Sequence, residues 1–481
     1  MNKRTILHIL GWVLLVEGAA MQLATFVGLW YHEENYKYFL FIGLGSLALG
    51  GLIMINKPKR TVMSRRDGFS ATALSWIVLS AVGALPLWMS GQIPHYVDAL
   101  FESISGFTTT GATILTDIEA LDNCMLFWRS LSHFLGGMGV IVFLLALIPK
   151  LGGNAGINLM KAESTGPEVE KTMPKLRRYA FVLYAIYAGL TALEVILLMC
   201  GGMYFFDAVT TSFSTAGTGG FACYNNSIAY FDSYYLQGVV SVFMMLFGVN
   251  FYVYIMILMR KFKSVLRLEE LWVYLGIIVV STALIAVNTS KLYPDAFDSV
   301  HHSFFYVTSI LSSTGFAIED TNLWPDFSKI LVVILTCIGA CAGSTGGGFK
   351  VSRIMILLKE VRKEFRLIVH PRTVQTIKMN GKKVSHEVTR NVSVYLVIYI
   401  LFILISTAIV SLNGFDFTTN LTAAITTLNN TGPGFSIVGS AGNYAGFNIL
   451  SKITFCFNMI AGRLELYPLL ILFVPRAWRK N

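Results

Sequence analysis

Hydrophobic and polar positions along this chain alternate in blocks of tens of residues. Stretches free of Asp, Glu, Lys and Arg cover residues 38–56, 68–97, 130–149, 233–259, 271–290, 330–349 and 391–415. Each reaches the roughly 20 residues that a helix needs to cross a bilayer core of about 30 Å. Residues 6–30, 179–206 and 446–475 do so with isolated charges inside. The pattern predicts ten long spans. Residues 98–108, 207–216, 298–311 and 416–428 remain between them, apolar but too short to cross, and are expected to enter and return on a single face.

These four short segments share a design, which is an internal repeat. Each opens with an Asp (Asp98, Asp207, Asp298, Asp416) and runs into Thr, Ser, Asn and Gly: Phe107-Thr-Thr-Thr-Gly111, Ser214-Thr-Ala-Gly-Thr-Gly-Gly220, Ser312-Ser-Thr-Gly315 and Asn429-Asn-Thr-Gly432. A span precedes and follows each of them. The expected architecture is all-α and integral to a membrane: two N-terminal spans (residues 1–66), then four units of span, half-length helix, polar loop and span. Their bounds are 67–178, 179–267, 268–390 and 391–481.

Composition supports the membrane and excludes the soluble classes. Hydrophobic residues make up 54% and charged residues 13%, about half the charge of an ordinary soluble domain. The net charge of +10 would fit nucleic acid if it formed one patch. Instead, 31 of the 37 Lys and Arg fall in separated bursts at residues 3–4, 57–66, 150–178, 260–267, 350–390 and 476–480, with acidic or neutral segments between alternate bursts. That is the positive-inside pattern. It predicts an inner-membrane protein with both termini cytoplasmic and no nucleic-acid partner. Lys3 and Arg4 before an apolar run imitate a signal peptide, but the run lacks a convincing cleavage site and reads as a retained first span. Six Cys without a C-x-x-C pair point to neither disulfides nor zinc.

Gly-rich polar backbone inside a bilayer is tolerated only where protein buries it or water reaches it. Four such loops at one depth therefore predict a shared cavity. The expectation is that Asp98, Asp207, Asp298 and Asp416 cap the half-helices, whose negative C-terminal poles then face the loops and favour a cation. Backbone carbonyls ringed around an axis replace the hydration shell of an alkali ion, which makes one pore with four inequivalent loops the economical reading. A polytopic enzyme is the competing class. The spans carry no H-E-x-x-H, no paired-carboxylate site and no nucleophile beside a His and an acid, so no enzymatic activity is expected.

The motifs Gly106-Phe-Thr-Thr-Thr-Gly-Ala112, Trp128-Arg-Ser-Leu-Ser-His-Phe-Leu-Gly-Gly-Met-Gly139, Ala342-Gly-Ser-Thr-Gly-Gly-Gly-Phe-Lys350 and Gly462-Arg-Leu-Glu465 resemble those of the Trk, Ktr and HKT superfamily of potassium transporters. The extra N-terminal pair of spans resembles the TrkH branch. The resemblance covers essentially the whole chain. It implies a potassium uptake subunit, a homodimer in a lipid bilayer, controlled by a separate cytosolic ring resembling TrkA that binds NAD or ATP/ADP. Carried over by residue, the ion-binding filter is Thr109, Thr110, Gly111, Gly219, Gly220, Ser313, Thr314, Gly315, Asn430, Thr431 and Gly432, with potassium as the bound ion. The gate is Gly343, Ser344, Thr345, Gly346, Gly347 and Gly348 with Arg463. Gly111, where sodium-preferring plant members carry Ser, favours potassium. The second loop, Ala216-Gly-Thr-Gly-Gly220, and the fourth, with Pro433, depart from the strict potassium-channel tract, so a short filter is expected that also passes rubidium.

Residues 343–350 do not meet the phosphate-loop spacing, and no G-x-G-x-x-G follows a strand. No organic cofactor is expected in this chain. Coupling to sodium or protons stays open as the alternative mechanism. Glu102, Arg129, His133 and Glu194 are assigned no role.

Overall fold

The computed structural model describes residues 3–55, 65–139, 176–373 and 375–475. Among the described residues, six helical stretches are long and apolar enough to cross a membrane without a sharp bend: Lys3–Trp30, Tyr36–Ile55, Arg66–Met89, Arg178–Cys200, Glu269–Leu292 and His386–Asn413. The first two form a hairpin. They meet where Gly18 abuts the Gly43 carbonyl and Gly11 the Gly50 carbonyl, since small residues let helix backbones approach in lipid. The hairpin lies against the first unit, where the Glu33 carboxylate accepts from the amides of Asn123 (2.6 Å) and Cys124 (2.9 Å), satisfying the open end of the next helix.

The remaining expected spans are not single helices. In each unit the helix after the polar loop is only 13 to 15 residues long: Asn123–Gly137, Tyr234–Phe247, Asp326–Ile338 and Ile449–Arg463. The second continues as Phe251–Leu258 after a 90° bend and the fourth as Tyr467–Phe473 after a 119° bend. The third gives way to a non-helical segment at 339–350 before Val351–Val369. The first unit's expected span, 130–149, passes residue 139 and so leaves the described residues. Apolar composition hid the second and fourth breaks, whereas the third falls on the Gly343–Gly348 loop expected from the sequence. Such breaks are permitted because neighbouring backbone and side chains take up the freed polar groups. At the second break, Asn250 accepts from the Tyr252 amide (2.9 Å), and the amides of Phe251 and Cys341 bond Gly343 (3.0 Å) and Gly248 (3.1 Å).

The four short segments are half-helices, Tyr96–Phe107, Phe205–Gly217, Ala296–Leu311 and Phe417–Asn429. Only Asp416 caps one. Its side chain accepts from the Thr419 amide (3.1 Å), and bonding from Thr419 holds its carboxyl below the usual aspartate range. Asp98, Asp207 and Asp298 correct the sequence expectation: each stands at the third helical position, behind His95, Tyr204 and Asp295, and makes no capping bond. There the carboxylate still faces the positive helix end but turns outward, to Lys452 (2.6 Å), Tyr224 (3.2 Å) and Tyr234 (2.8 Å) respectively.

Candidate functional site

All four half-helices end in the same way. A residue with left-handed backbone follows each one: Thr109 (φ 55°), Thr218 (φ 53°), Ser313 (φ 62°) and Asn430 (φ 54°). The next amide reaches back five residues, from Thr110 to Ser105 (2.9 Å), Gly219 to Ser214 (2.8 Å), Thr314 to Ser309 (2.8 Å) and Thr431 to Thr426 (3.0 Å). This is a Schellman-type stop. Two residues beyond the left-handed position a glycine again has positive φ: Gly111 (77°), Gly220 (82°), Gly315 (81°) and Gly432 (81°). Non-glycine residues in the left-handed region cost about 1–3 kcal/mol each and persist where the surroundings hold them. Four such residues in phase mark a functional backbone.

The loops meet in a closed ring. A methyl group added to Gly111 would run into the carbonyl oxygen of Gly219, and one on Gly220 into that of Thr314. One on Gly315 would meet Thr431, and one on Gly432 would meet Thr110. Each glycine of one unit thus lies against the carbonyl of the next, and the fourth closes on the first. Gly111, Gly220, Gly315 and Gly432 together line one cavity of about 110 Å³, with the Ala112–Ile118 stretch, Tyr224, Asn225 and Ser440 around it. Four half-helix C-termini converge below, each carrying a partial charge of roughly −0.5. Ringed carbonyls and converging negative helix poles are an arrangement that suits a bare monovalent cation. Of the residues expected at the filter, Thr110, Gly111, Gly219, Gly220, Thr314, Gly315, Thr431 and Gly432 make these ring contacts, while Thr109, Ser313 and Asn430 stand at the left-handed positions just before them. Thr218 belongs with them and is missing from the sequence expectation, although its place two residues before Gly220 matches Thr109, Ser313 and Asn430.

Segment 339–350 packs directly against this ring. The Gly347 amide donates to the Ser313 hydroxyl (2.5 Å), and Gly346 and Gly347 abut the carbonyls of Ser312 and Asn429. Arg463, buried at the end of the last half-span, donates to Thr345 (2.7 Å) and to the carbonyls of Gly136 (2.5 Å) and Gly137 (2.6 Å). Two residues on, Glu465 pairs with Arg353 (2.5 Å). The end of the last span therefore holds both sides of the segment. Glu270 accepts from the Ala342 amide (2.7 Å), and the Lys350 ammonium donates to the Gly346 carbonyl. No spacing in the sequence pointed to Glu270, which lies 72 residues from its partner.

Behind the ring, residues without an assigned role brace the loops. Arg129 and Glu102 form a buried ion pair (2.9 Å). The carboxylate also accepts from Thr113 (3.0 Å) and the Ile114 amide (3.0 Å) of the first loop, and the guanidinium donates to Ala222 (3.2 Å) of the second. Breaking such a pair strands a buried charge at about 3–5 kcal/mol, so it ties two loops together firmly. Tyr444 donates to the Gly432 carbonyl (2.8 Å) while its own amide donates to Thr113 (2.8 Å), joining the fourth loop to the first. Glu194 is buried beside the second half-helix and takes no part in the ring.

Comparison with known proteins gives consistent results. Residues 38–480 match the TrkH family, described as cation transport protein. The sequence is 34% identical over 489 residues, spanning 100% of both chains, to the Trk system potassium uptake protein TrkH of Salmonella typhimurium. It is 32% identical over 486 residues, 99% of each chain, to the Trk system potassium uptake protein TrkG of Escherichia coli. The crystal structure of the potassium transporter TrkH from Vibrio parahaemolyticus superposes with a TM-score of 0.88 at 31% identity, covering 100% of both chains.

Proposed function

This chain belongs to the TrkH family of cation transport proteins, and on that premise we propose that it takes up potassium through a single pore whose selective element is the ring of four loops. It is a multi-pass membrane protein and not an enzyme. The observation that carries the reading is the closure of the ring: each filter glycine abuts the carbonyl of the next unit, all the way round. Potassium is the cargo, held at Thr109, Thr110, Gly111, Gly219, Gly220, Ser313, Thr314, Gly315, Asn430, Thr431 and Gly432, with Thr218 added.

Gly343 to Gly348 and Arg463 act as the gate beneath it. Basic segments on alternate loops favour the inner membrane with cytoplasmic termini. Names of the relatives as members of a Trk system support further subunits, read here as a second copy and a cytosolic nucleotide-binding regulator resembling TrkA.

Inward flow is driven by membrane potential, about 2.3 kcal/mol per charge per 100 mV. Purified protein in liposomes, with potassium flux measured under imposed potential and under sodium or proton gradients, tests this. Flux is expected to follow the potassium electrochemical gradient alone. Uptake against that gradient, driven by sodium or protons, would establish coupled symport instead.

A further inference from the structure

We propose that His133 serves as the fourth side chain of the loop ring, its imidazole occupying the place that a threonine side chain takes in the other three loops and positioning the second loop from there. This rests on the reading of the ring as a selectivity filter. The position just before the positive-φ glycine is Thr110, Thr314 and Thr431 in three loops but Gly219 in the second. Backbone conformation does not demand glycine there, because the positive φ belongs to Gly220 and not to Gly219. A side-chain atom on Gly219 is excluded by the His133 ring, with whose Cγ, Cδ2 and Nδ1 a β-carbon would overlap.

The same substitution accounts for the braces. In the first and third loops the threonine hydroxyl meets a hydroxyl two residues earlier, Thr108 to Thr110 at 2.8 Å and Ser312 to Thr314 at 2.7 Å. In the second loop the corresponding residue is Gly217, whose own β-position is filled by the His133 carbonyl. No hydroxyl pair can form, and helix Asn123–Gly137 presses into the vacated space.

His133 supplies the missing bonds. Its Nε2 lies 3.2 Å from the Phe221 amide, which can only donate. Nε2 is therefore the acceptor, and the proton sits on Nδ1, which donates to the Gly106 carbonyl at 2.7 Å. One neutral tautomer thus ties the second loop, two residues past Gly219, to the end of the first half-helix. The ring is fully buried and stacks on Phe221 with centroids 4.3 Å apart. The Arg129 guanidinium also lies over Phe221, 4.1 Å from the ring centroid, and is already paired with Glu102.

The test is a compensating pair read as the potassium-to-sodium permeability ratio in liposomes, with folding followed by size-exclusion chromatography. His133→Ala is expected to fold and to lower the ratio by up to about tenfold, the worth of one buried hydrogen bond on filter backbone. Gly219→Thr alone is expected to lose conduction or fail to accumulate. Together, His133→Ala and Gly219→Thr rebuild four threonines and are expected to recover conduction, with a ratio nearer the parent's than His133→Ala gives. A double variant no better than Gly219→Thr alone, or a His133→Ala ratio equal to the parent's, overturns the assignment. Gly111→Ser run in parallel separates the two claims: if it shifts the ratio and His133→Ala does not, only His133 loses its role, whereas no shift in either removes the filter reading itself.

Discussion

Gly111→Ser is expected to fold and to lose most of its preference for potassium over sodium, by about tenfold or more, since left-handed backbone on a non-glycine residue costs about 1–2 kcal/mol. Two effects add at this position. Gly111 has φ 77°, and a β-carbon would collide with the Gly219 carbonyl oxygen of the neighbouring loop. Relief requires either the first loop to leave its conformation or the Gly219 carbonyl to turn. Both displace a carbonyl from the set that replaces potassium hydration, and a wider, less uniform ring discriminates less between ions. Reversal potentials under opposed potassium and sodium gradients measure this directly. A folded variant with an unchanged ratio would remove Gly111 from the filter.

Arg463→Ala is expected to raise rubidium flux roughly tenfold without altering the permeability ratio. One reason follows from the gate reading: a guanidinium near the path would repel a cation by about 4 kcal/mol at 4 Å and an effective dielectric of 20. The structure adds another. Arg463 holds the segment through Thr345 and anchors it to Gly136 and Gly137. Charge-assisted hydrogen bonds contribute about 1.5–3 kcal/mol each, so their loss releases residues 343–348, four of which are glycine. A deletion within 344–346, which spares Gly347, should act in the same direction, because it shortens the segment proposed as the gate. Selectivity should hold in both, since the bonds at the half-helix ends, the Gly347 bond to Ser313 and the Arg129–Glu102, Tyr444 and His133 braces between the loops stay in place. If both variants fold and conduct at the parent rate, the barrier lies elsewhere and Arg463 is a structural clamp only.

The half-helices were legible in the sequence because hydropathy and length are local properties. Expected at 98–108, 207–216, 298–311 and 416–428, they run over 96–107, 205–217, 296–311 and 417–429. The break at 343–348 was legible from its run of glycines, but the partners that hold it, Ser313 for Gly347 and Glu270 for Ala342, were not. The bend inside residues 233–259 was not legible, because the stretch carries no charge and part of what takes up its freed backbone, Gly343 for Phe251, comes from far along the chain. The Asp residues illustrate a smaller error. Three of the four stand two residues inside the helix start, where a carboxylate suits the dipole but cannot cap, and composition does not separate these positions. Thr218 was within reach from its phase alone. The second loop, residues 216–220, read as a departure from the strict tract, but which residue mattered was not legible: Gly219 lies against His133, 86 positions earlier, on a helix that only the fold brings to the second loop.

Diffraction from crystals grown in rubidium tests the central claim most directly, because rubidium should occupy the potassium site and scatters anomalously. The account predicts a peak on the axis of the ring, bounded by the carbonyl oxygens of Thr110, Gly219, Thr314 and Thr431 and lost on exchange into sodium. An empty ring, with rubidium bound elsewhere in the membrane region, would contradict it.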